Sequence, residues 1–127
     1  MGPACLLDTN VVIGFFDASL PPAGRQFVAG LRPVISVITH IELFSNPLIP
    51  AAELATLQRF VALATVHNQF DADLVQTTIT LRQRRKIKTP DAIIAATALV
   101  RGLTLVTRNT RDFAQLTGLM VINPFVL

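Results

Sequence analysis

The sequence has one cysteine, Cys5, and no tryptophan or tyrosine. A single cysteine excludes an internal disulfide, and with it the disulfide-stabilised secreted folds. The best apolar run, Ala92–Val100, is interrupted by Thr97 and is well short of the roughly 20 residues that a membrane-spanning helix needs. The N-terminus also lacks the basic start and apolar stretch of a signal peptide. These absences predict a cytoplasmic protein with no membrane partner.

Length and composition predict one compact domain over residues 1–127. Apolar residues make up 51% of the sequence and charged residues 15%, which excludes intrinsic disorder. A chain of 127 residues is near the usual size of a single domain, and it buries enough surface to fold without a disulfide or a structural metal.

Acidic residues are scarce. Eight Asp and Glu face eleven Lys and Arg, giving a net charge of +3, and all the basic residues except Lys86 and Lys88 are arginines. Guanidinium groups make bidentate contacts to phosphate, so this balance favours a nucleic-acid partner. Without Trp or Tyr, a base-stacking platform for single strands is disfavoured, and recognition of a folded RNA by its shape fits better. The sequence leaves open whether that RNA is a transfer, ribosomal or messenger RNA.

Short apolar runs alternate with longer helical patterns along the whole chain. This alternation predicts an α/β fold with a central parallel sheet of four to five strands flanked by helices. The predicted strands are Ala4–Leu7, Val34–Ile38, a short edge strand at Val66, Leu103–Val106 and Leu119–Ile122. The predicted helices are Thr9–Phe16, Thr39–Phe44, Ala51–Ala64, Asp71–Lys86, Pro90–Arg101 and Thr110–Leu116, and a loose proline-containing segment follows the first of them as far as Gly30.

Four of the acidic residues follow a strand or begin a helix. They are Asp8, Glu42, Asp91 and Asp112. Each can also be interpreted as an ordinary helix-capping residue, since helix N-termini attract carboxylates. On that interpretation Asp8 is an N-cap, Thr39 and Glu42 form a capping box, Asp91 follows Thr89 and Pro90 in a first turn, and Asn109 pairs with Asp112.

The four positions together point to a shared site. Strand-to-helix junctions of a parallel sheet lie at one edge, where ligands bind, so these carboxylates should converge. Clustered carboxylates repel one another and call for a cation. Oxygen ligands without Cys or His suit Mg²⁺ or Mn²⁺ rather than zinc. Such a site is typical of phosphoryl transfer by metal-activated water.

These segments resemble the PIN-domain nucleases, and most closely the VapC-type ribonuclease toxins of bacterial toxin–antitoxin pairs. Leu7-Asp8-Thr9-Asn10 is similar to the first acidic motif of the family, and Glu42 in Thr-His-Ile-Glu-Leu matches the second. Thr89-Pro90-Asp91-Ala92 and the residues after it resemble the third and most specific motif. Thr107-Arg108-Asn109 through Asp112-Phe113 resembles the fourth, with Asn109 in a position that is acidic or Asn in the family.

The resemblance implies a PIN-like fold and a Mg²⁺- or Mn²⁺-dependent endoribonuclease that leaves a 5′-phosphate and a 3′-hydroxyl. Its catalytic and metal-binding residues would be Asp8, Glu42, Asp91 and Asp112. Supporting hydrogen bonds would come from Thr9, Asn10, Thr107 and Asn109. Whether Asn109, Asp112 or both complete the metal site stays open, as does the choice between one and two ions.

The resemblance also implies a homodimer and a VapB-type antitoxin that fills a groove. Candidate groove residues flank the first two motifs, namely Phe15, Phe16, Leu43 and Phe44, although aromatic residues at helical spacing are more often core. Candidate contacts to the RNA backbone are Arg82, Arg85 and Lys86. The alternative is a non-catalytic PIN-fold module that docks RNA or protein.

Two other classes of enzyme fit the residues less well. Haloacid-dehalogenase enzymes require Asp-x-Asp after the first strand, where this chain has Asp8-Thr9-Asn10. His40 and His67 could form the acid–base pair of a metal-free ribonuclease, but no motif links them. Cys5, inside the first predicted strand, is interpreted as a buried thiol without a catalytic role.

Overall fold

The computed structural model describes residues 2–127, which form five strands, seven α-helices and a C-terminal 3-10 turn. The strands are β1 (Ala4–Leu7), β2 (Arg32–Ser36), β3 (Thr65–His67), β4 (Thr104–Val106) and β5 (Val121–Ile122). The helices are α1 (Thr9–Phe16), α2 (Pro22–Ala29), α3 (Val37–Leu43), α4 (Ala51–Leu63), α5 (Ala72–Arg84), α6 (Thr89–Arg101) and α7 (Thr110–Phe113), and the 3-10 turn is Pro124–Val126.

The strands form one parallel sheet in the order β3-β2-β1-β4-β5. This confirms the predicted parallel α/β fold, with five strands and β3 at an edge. The chain builds outward from β1 through β2 to β3, then crosses over to β4 on the other side of β1. The order therefore reverses between β1 and β4, and such a reversal opens a crevice at the carboxyl ends of the two strands.

Both faces of the sheet are buried, which explains why β1 has no polar residue. Cys5 and Leu7 belong to one apolar core together with Val11 of α1, whereas Leu6 belongs to the other together with Ile94 of α6. A strand covered on both faces reads as a continuous apolar run rather than as an alternating one. No helix within residues 2–127 is both long enough and apolar enough to cross a bilayer.

The largest error in the predicted elements is helix α2. The proline-containing segment ending at Gly30 was predicted to be loose, but Pro22–Ala29 is a helix. Proline is tolerated in the first turn of a helix, where the missing N–H has no partner in any case. Gly24 is required by packing, because a Cβ at this position would come within 1.8 Å of the Pro124 carbonyl oxygen.

We expect Gly24→Ala to lower the melting temperature by roughly 5 to 10 °C, because α2 and the C-terminal turn would have to separate. Gly30→Ala is the matched control, since a Cβ there meets no atom closer than 3.6 Å and φ is −83°. Thermal unfolding measures both. Equal melting temperatures for the two variants would contradict close packing of the C-terminal turn on α2.

The start of α3 also corrects the sequence interpretation. The second strand was predicted as Val34–Ile38, but it ends at Ser36, whose side chain accepts a hydrogen bond from the Thr39 N–H and caps α3. The predicted capping box of Thr39 and Glu42 is therefore wrong. Thr39 is fully buried.

Candidate functional site

Asp8 lies at the carboxyl end of β1, beside the reversal in strand order. Its backbone N–H donates to the Val106 carbonyl of β4, and its carboxylate accepts from the Thr9 N–H at 2.8 Å as the N-cap of α1. The other carboxylate oxygen, Oδ2, accepts from Oγ1 of Thr107 at 2.7 Å. Both residues are buried. Asp8 is thus both an N-cap and a carboxylate fixed between two neighbouring strands.

Glu42 is joined to this edge through Thr9. Oγ1 of Thr9 donates to Oε1 of Glu42 at 2.6 Å and lies 3.1 Å from Oγ1 of Thr39. Glu42 itself is exposed, at the C-terminal end of α3. Thr9 and Thr39, which are half-buried and buried, therefore connect the first and second acidic segments. Asn10 is exposed in the first turn of α1 and takes no part in these bonds.

Asp112 is held by Asn109. The side-chain amide of Asn109 donates to Oδ2 of Asp112 at 2.8 Å, and the Asn109 backbone N–H donates to Oγ1 of Thr107 at 3.0 Å. Asn109 is the N-cap residue of α7, but its side chain does not cap the helix, so the capping interpretation of this pair is wrong. Thr107 thereby joins the Asp8 carboxylate to the turn that carries Asp112.

Asp91 lies in the first turn of α6 and is partly buried. Burial raises the pKa of its carboxyl group first, followed by repulsion from Asp8, Asp112 and Glu42 in that order, against an opposing effect of Lys88. Asp91 therefore feels the negative charge of all three other acids. The four carboxylates predicted from the sequence share one electrostatic environment.

The pKa of the Asp8 carboxyl group is raised as well. Burial raises its pKa most, Glu42 adds to the rise, and the hydrogen bonds from Thr107 and the Thr9 N–H act against it. A buried carboxylate among other carboxylates is destabilised in its charged form, and a nearby cation removes that penalty. Carboxylate oxygens are donors that suit a hard cation.

Within residues 2–127, no three His, Cys, Asp or Glu side chains are placed so that together they could hold a metal ion. Mg²⁺ can bind with fewer protein ligands, since it usually keeps several waters and binds through one or two carboxylates. Asp8 and Asp91 could supply the one or two carboxylates that such binding requires. The residues present are therefore suited to Mg²⁺ or Mn²⁺ and unsuited to zinc, which prefers Cys and His.

The predicted RNA contacts come just before Asp91 in the sequence, and two of them already hydrogen-bond to other residues of the protein. Arg82 donates from Nε to the Ile87 carbonyl, and Arg85 donates to both the side-chain and backbone oxygens of Gln115. These bonds hold the α5–α6 connection. Lys86 is exposed in the same connection.

The predicted groove residues do not share one surface. Leu43 is buried in the core at 4% exposure, and Phe15 and Phe44 are half-buried against that core. Phe16 does line a cavity of about 330 Å³ between α1 and α4. The residues lining this cavity are Ile13, Phe16, Asp17, Ala52, Glu53, Thr56 and Leu57.

Sequence reasoning missed most of this cavity, although α1 carries a signal for it. Val11 and Val12 face the core, yet Ile13 and Phe16 are also apolar and are 44% and 41% exposed. A surface helix normally needs one apolar stripe. Apolar residues on a second face indicate a surface available for another chain.

The two histidines are not paired in a site. His40 packs its ring edge-on against Phe44, with the ring centroids 5.6 Å apart. His67 ends the edge strand β3, and burial together with Arg101 lowers its pKa. Cys5 is buried, as expected.

Comparison with known proteins gives a consistent result. The family model for the PIN domain matches residues 5–119. A tRNA(fMet)-specific endonuclease VapC from Shigella flexneri is 33% identical, over 90% of this chain and 92% of that protein.

Solved structures agree over the same length. A toxin–antitoxin complex from Klebsiella pneumoniae contains a chain with a TM-score of 0.76 and 32% identity, covering 94% of this chain and 97% of that one. A DNA-bound VapBC from Salmonella typhimurium gives a TM-score of 0.79 at 27% identity, covering 98% and 99%.

Proposed function

The chain belongs to the PIN-domain family as a VapC-type nuclease, and from that premise we propose that it is an endoribonuclease dependent on Mg²⁺ or Mn²⁺, neutralised by a VapB-type antitoxin. The observation that supports the metal dependence is the repulsion among Asp8, Asp91, Asp112 and Glu42 at one edge of the sheet. The excess of basic residues elsewhere on the chain fits a polyanionic substrate.

Asp8 and Asp91 are the proposed direct ligands, because each is partly or fully buried and Asp8 is the strongest charged neighbour of Asp91. Bound there, the ion would supply an activated water and offset charge on the scissile phosphate. Thr107 and the Thr9 N–H fix the rotamer of Asp8, so its carboxylate is oriented before any ligand arrives.

Glu42 and Asp112 are proposed to act on the attacking water rather than as direct metal ligands. Each is exposed and is oriented by one neighbour, Thr9 for Glu42 and Asn109 for Asp112. Exposed, oriented carboxylates can hold waters by hydrogen bonds and accept a proton from the attacking one. Asn109 is therefore proposed to position Asp112 and not to bind the metal ion itself.

Cleavage of RNA tests the proposed activity. Total RNA and initiator tRNA are incubated with the protein in Mg²⁺ and in EDTA, the tRNA being included because the Shigella relative is named for it. Discrete fragments with 5′-phosphates in Mg²⁺ alone would support the nuclease. RNA that is bound but left intact in Mg²⁺ would instead indicate the non-catalytic binding module.

Added metal should stabilise the fold in a pH-dependent way. The raised pKa values of Asp8 and Asp91 mean that the folded chain keeps protons that the unfolded chain has lost, so their contribution to the free energy of unfolding falls as pH rises through those values. Mg²⁺ binds the deprotonated forms and offsets that loss. We expect millimolar Mg²⁺ to raise the melting temperature by roughly 3 to 8 °C near pH 7.5, and by less near pH 5. Equal shifts at both pH values would contradict binding to these carboxylates.

The apolar cavity between α1 and α4 is the proposed antitoxin site. Its lining is mostly apolar and includes the acidic Asp17 and Glu53, so it suits an amphipathic segment with apolar anchors and basic neighbours. A homodimer is proposed by family likeness, and the exposed stripe of Val75 and Ile79 on α5 offers apolar surface for it.

We expect Ile13→Glu to reduce inhibition by the antitoxin at least about tenfold while leaving RNA cleavage intact, because it puts a charge in the apolar cavity. Leu63→Glu is the control, since Leu63 is exposed at the far end of α4 and is not in the cavity. Titration of the antitoxin against RNA cleavage measures both variants. Full inhibition of the Ile13 variant would place the antitoxin elsewhere.

A further inference from the structure

Arg108 sits in the turn that fixes the acidic site, yet none of the roles above uses it. It follows Thr107, whose hydroxyl binds Asp8, and precedes Asn109, whose amide binds Asp112. Its own carbonyl oxygen accepts from the Thr110 N–H at 3.1 Å and from Nδ2 of Asn123 at 3.5 Å. The backbone of Arg108 is therefore held by the same network that orients the carboxylates.

The side chain of Arg108 is exposed and lies over an aromatic ring. Its Cζ atom is 4.6 Å from the ring centroid of Phe125. Within residues 2–127 the one salt bridge joins Arg101 to Asp71, so Arg108 has no carboxylate partner in the part of the chain described. Stacking on a ring leaves the N–H edges of a guanidinium free, and those edges match the oxygens of a phosphate.

Phe125 is itself held firmly. Its backbone N–H donates to Oδ1 of Asn123 at 2.9 Å, and its ring packs against Gly14 of α1, where a Cβ would come within 2.8 Å of the ring. The adjacent Pro124 packs on Gly24 of α2. The C-terminal turn thus packs on two helices, and the Phe125 ring lies between α1 and the Arg108 side chain, which restricts the conformations open to the guanidinium.

We propose that the C-terminal 3-10 turn holds Arg108 as a contact for the phosphate backbone of the RNA beside the carboxylate edge. A polyanion approaching four carboxylates meets repulsion, and a guanidinium carried by the turn that binds Asp8 and Asp112 would offset it. Preorganisation by Phe125 lowers the entropy lost when an exposed arginine binds. Arg82 and Arg85 differ, because their guanidinium groups already bind protein oxygens. The proposal rests on the proposed ribonuclease function.

The test compares three variants of the full chain. Arg108→Gln removes the charge, Phe125→Leu removes the ring but keeps apolar packing, and Arg32→Gln is the control at the amino end of β2, where Arg32 contacts the Gly2 carbonyl. The affinity for initiator tRNA is measured in EDTA at about 50 to 200 mM salt. KM and kcat for cleavage are measured in Mg²⁺.

Arg108→Gln should weaken tRNA affinity by about three- to tenfold and flatten the salt dependence by about 0.7 to 0.9 in the log–log slope, as expected for one lost phosphate contact. It should raise KM with kcat within about twofold, which a purely structural defect of the turn would not do. Phe125→Leu should produce part of the same loss of tRNA affinity. The double variant should bind tRNA no more weakly than Arg108→Gln alone.

Equal affinity and salt slope for Arg108→Gln and Arg32→Gln would overturn the phosphate contact. Parental affinity in Phe125→Leu would overturn the part assigned to the C-terminal turn. The binding measurements are independent of turnover, so they decide the role of Arg108 even if the parent protein binds initiator tRNA without cleaving it, whereas cleavage of total RNA in Mg²⁺ decides the nuclease.

Discussion

Asp91→Asn is expected to lower metal-dependent RNA cleavage by more than about 10³-fold, which corresponds to about 4 kcal/mol of lost transition-state stabilisation. Asp91 is the carboxylate whose pKa responds to all three other acids, so replacing it removes the charge most closely coupled to the rest. The metal-free melting temperature should stay equal to that of the parent or rise, because a repelled carboxylate is removed. Cleavage and melting with and without Mg²⁺ measure the two effects.

Asp73→Asn is the matched control for this change. Asp73 lies in the first turn of α5, as Asp91 lies in the first turn of α6, so both variants lose one carboxylate from the first turn of a helix. The control should keep its activity and its response to Mg²⁺. Parental cleavage by Asp91→Asn would show that the reaction does not use this edge of the sheet.

Thr107→Val should have the second largest effect, although Thr107 carries no charge. Valine has nearly the same shape but leaves the buried Oδ2 of Asp8 and the half-buried Asn109 N–H without their partner. The expected cost is about 1 to 3 kcal/mol of the free energy of unfolding. Loss of this orienting bond should also weaken Mg²⁺ binding and cleavage by roughly 10- to 100-fold. Denaturant unfolding and metal titration measure the two losses.

Thr97→Val separates this effect from the general cost of removing a buried hydroxyl. Thr97 is also buried, but its hydroxyl donates to the Ile93 carbonyl of its own helix, α6, and forms no hydrogen bond with a site residue within the part of the chain described. Mg²⁺ binding should be unchanged in that variant. If both threonine variants bound Mg²⁺ equally well, the bond from Thr107 to Asp8 would have no part in preparing the site.

The placement of the acidic residues could be predicted from the sequence because it depends on topology alone. Asp8 follows a wholly apolar strand, and Asp91 lies in the first turn of a helix whose middle, from Ala92 to Ala98, is mostly buried. In a parallel sheet such positions share an edge, so no side-chain detail was needed to bring them together.

The connections between those residues could not be predicted, because they depend on pairs far apart in the chain. Thr39 has the spacing of a capping box with Glu42, yet Ser36 caps the helix and Thr39 contacts Thr9. Local patterns cannot show which of two hydroxyls faces the helix end and which faces the neighbouring strand.

Helix α2 and the C-terminal turn were missed for a related reason. Gly24 weakens any local prediction of a helix, and its benefit comes from Pro124, a hundred residues further along the chain. The same packing places Phe125 under Arg108. Leu43, by contrast, was assigned to a groove from its position beside Glu42, although the helix turns it into the core.

Anomalous diffraction from crystals soaked in Mn²⁺ tests the metal site most directly. A carboxylate site at the carboxyl ends of β1 and β4 predicts a Mn²⁺ peak within bonding distance of Asp8 and Asp91, which disappears in Asp91→Asn and persists in Asp73→Asn. A protein that cleaves RNA in Mn²⁺ but shows its peak elsewhere, or shows none at these carboxylates, would contradict it.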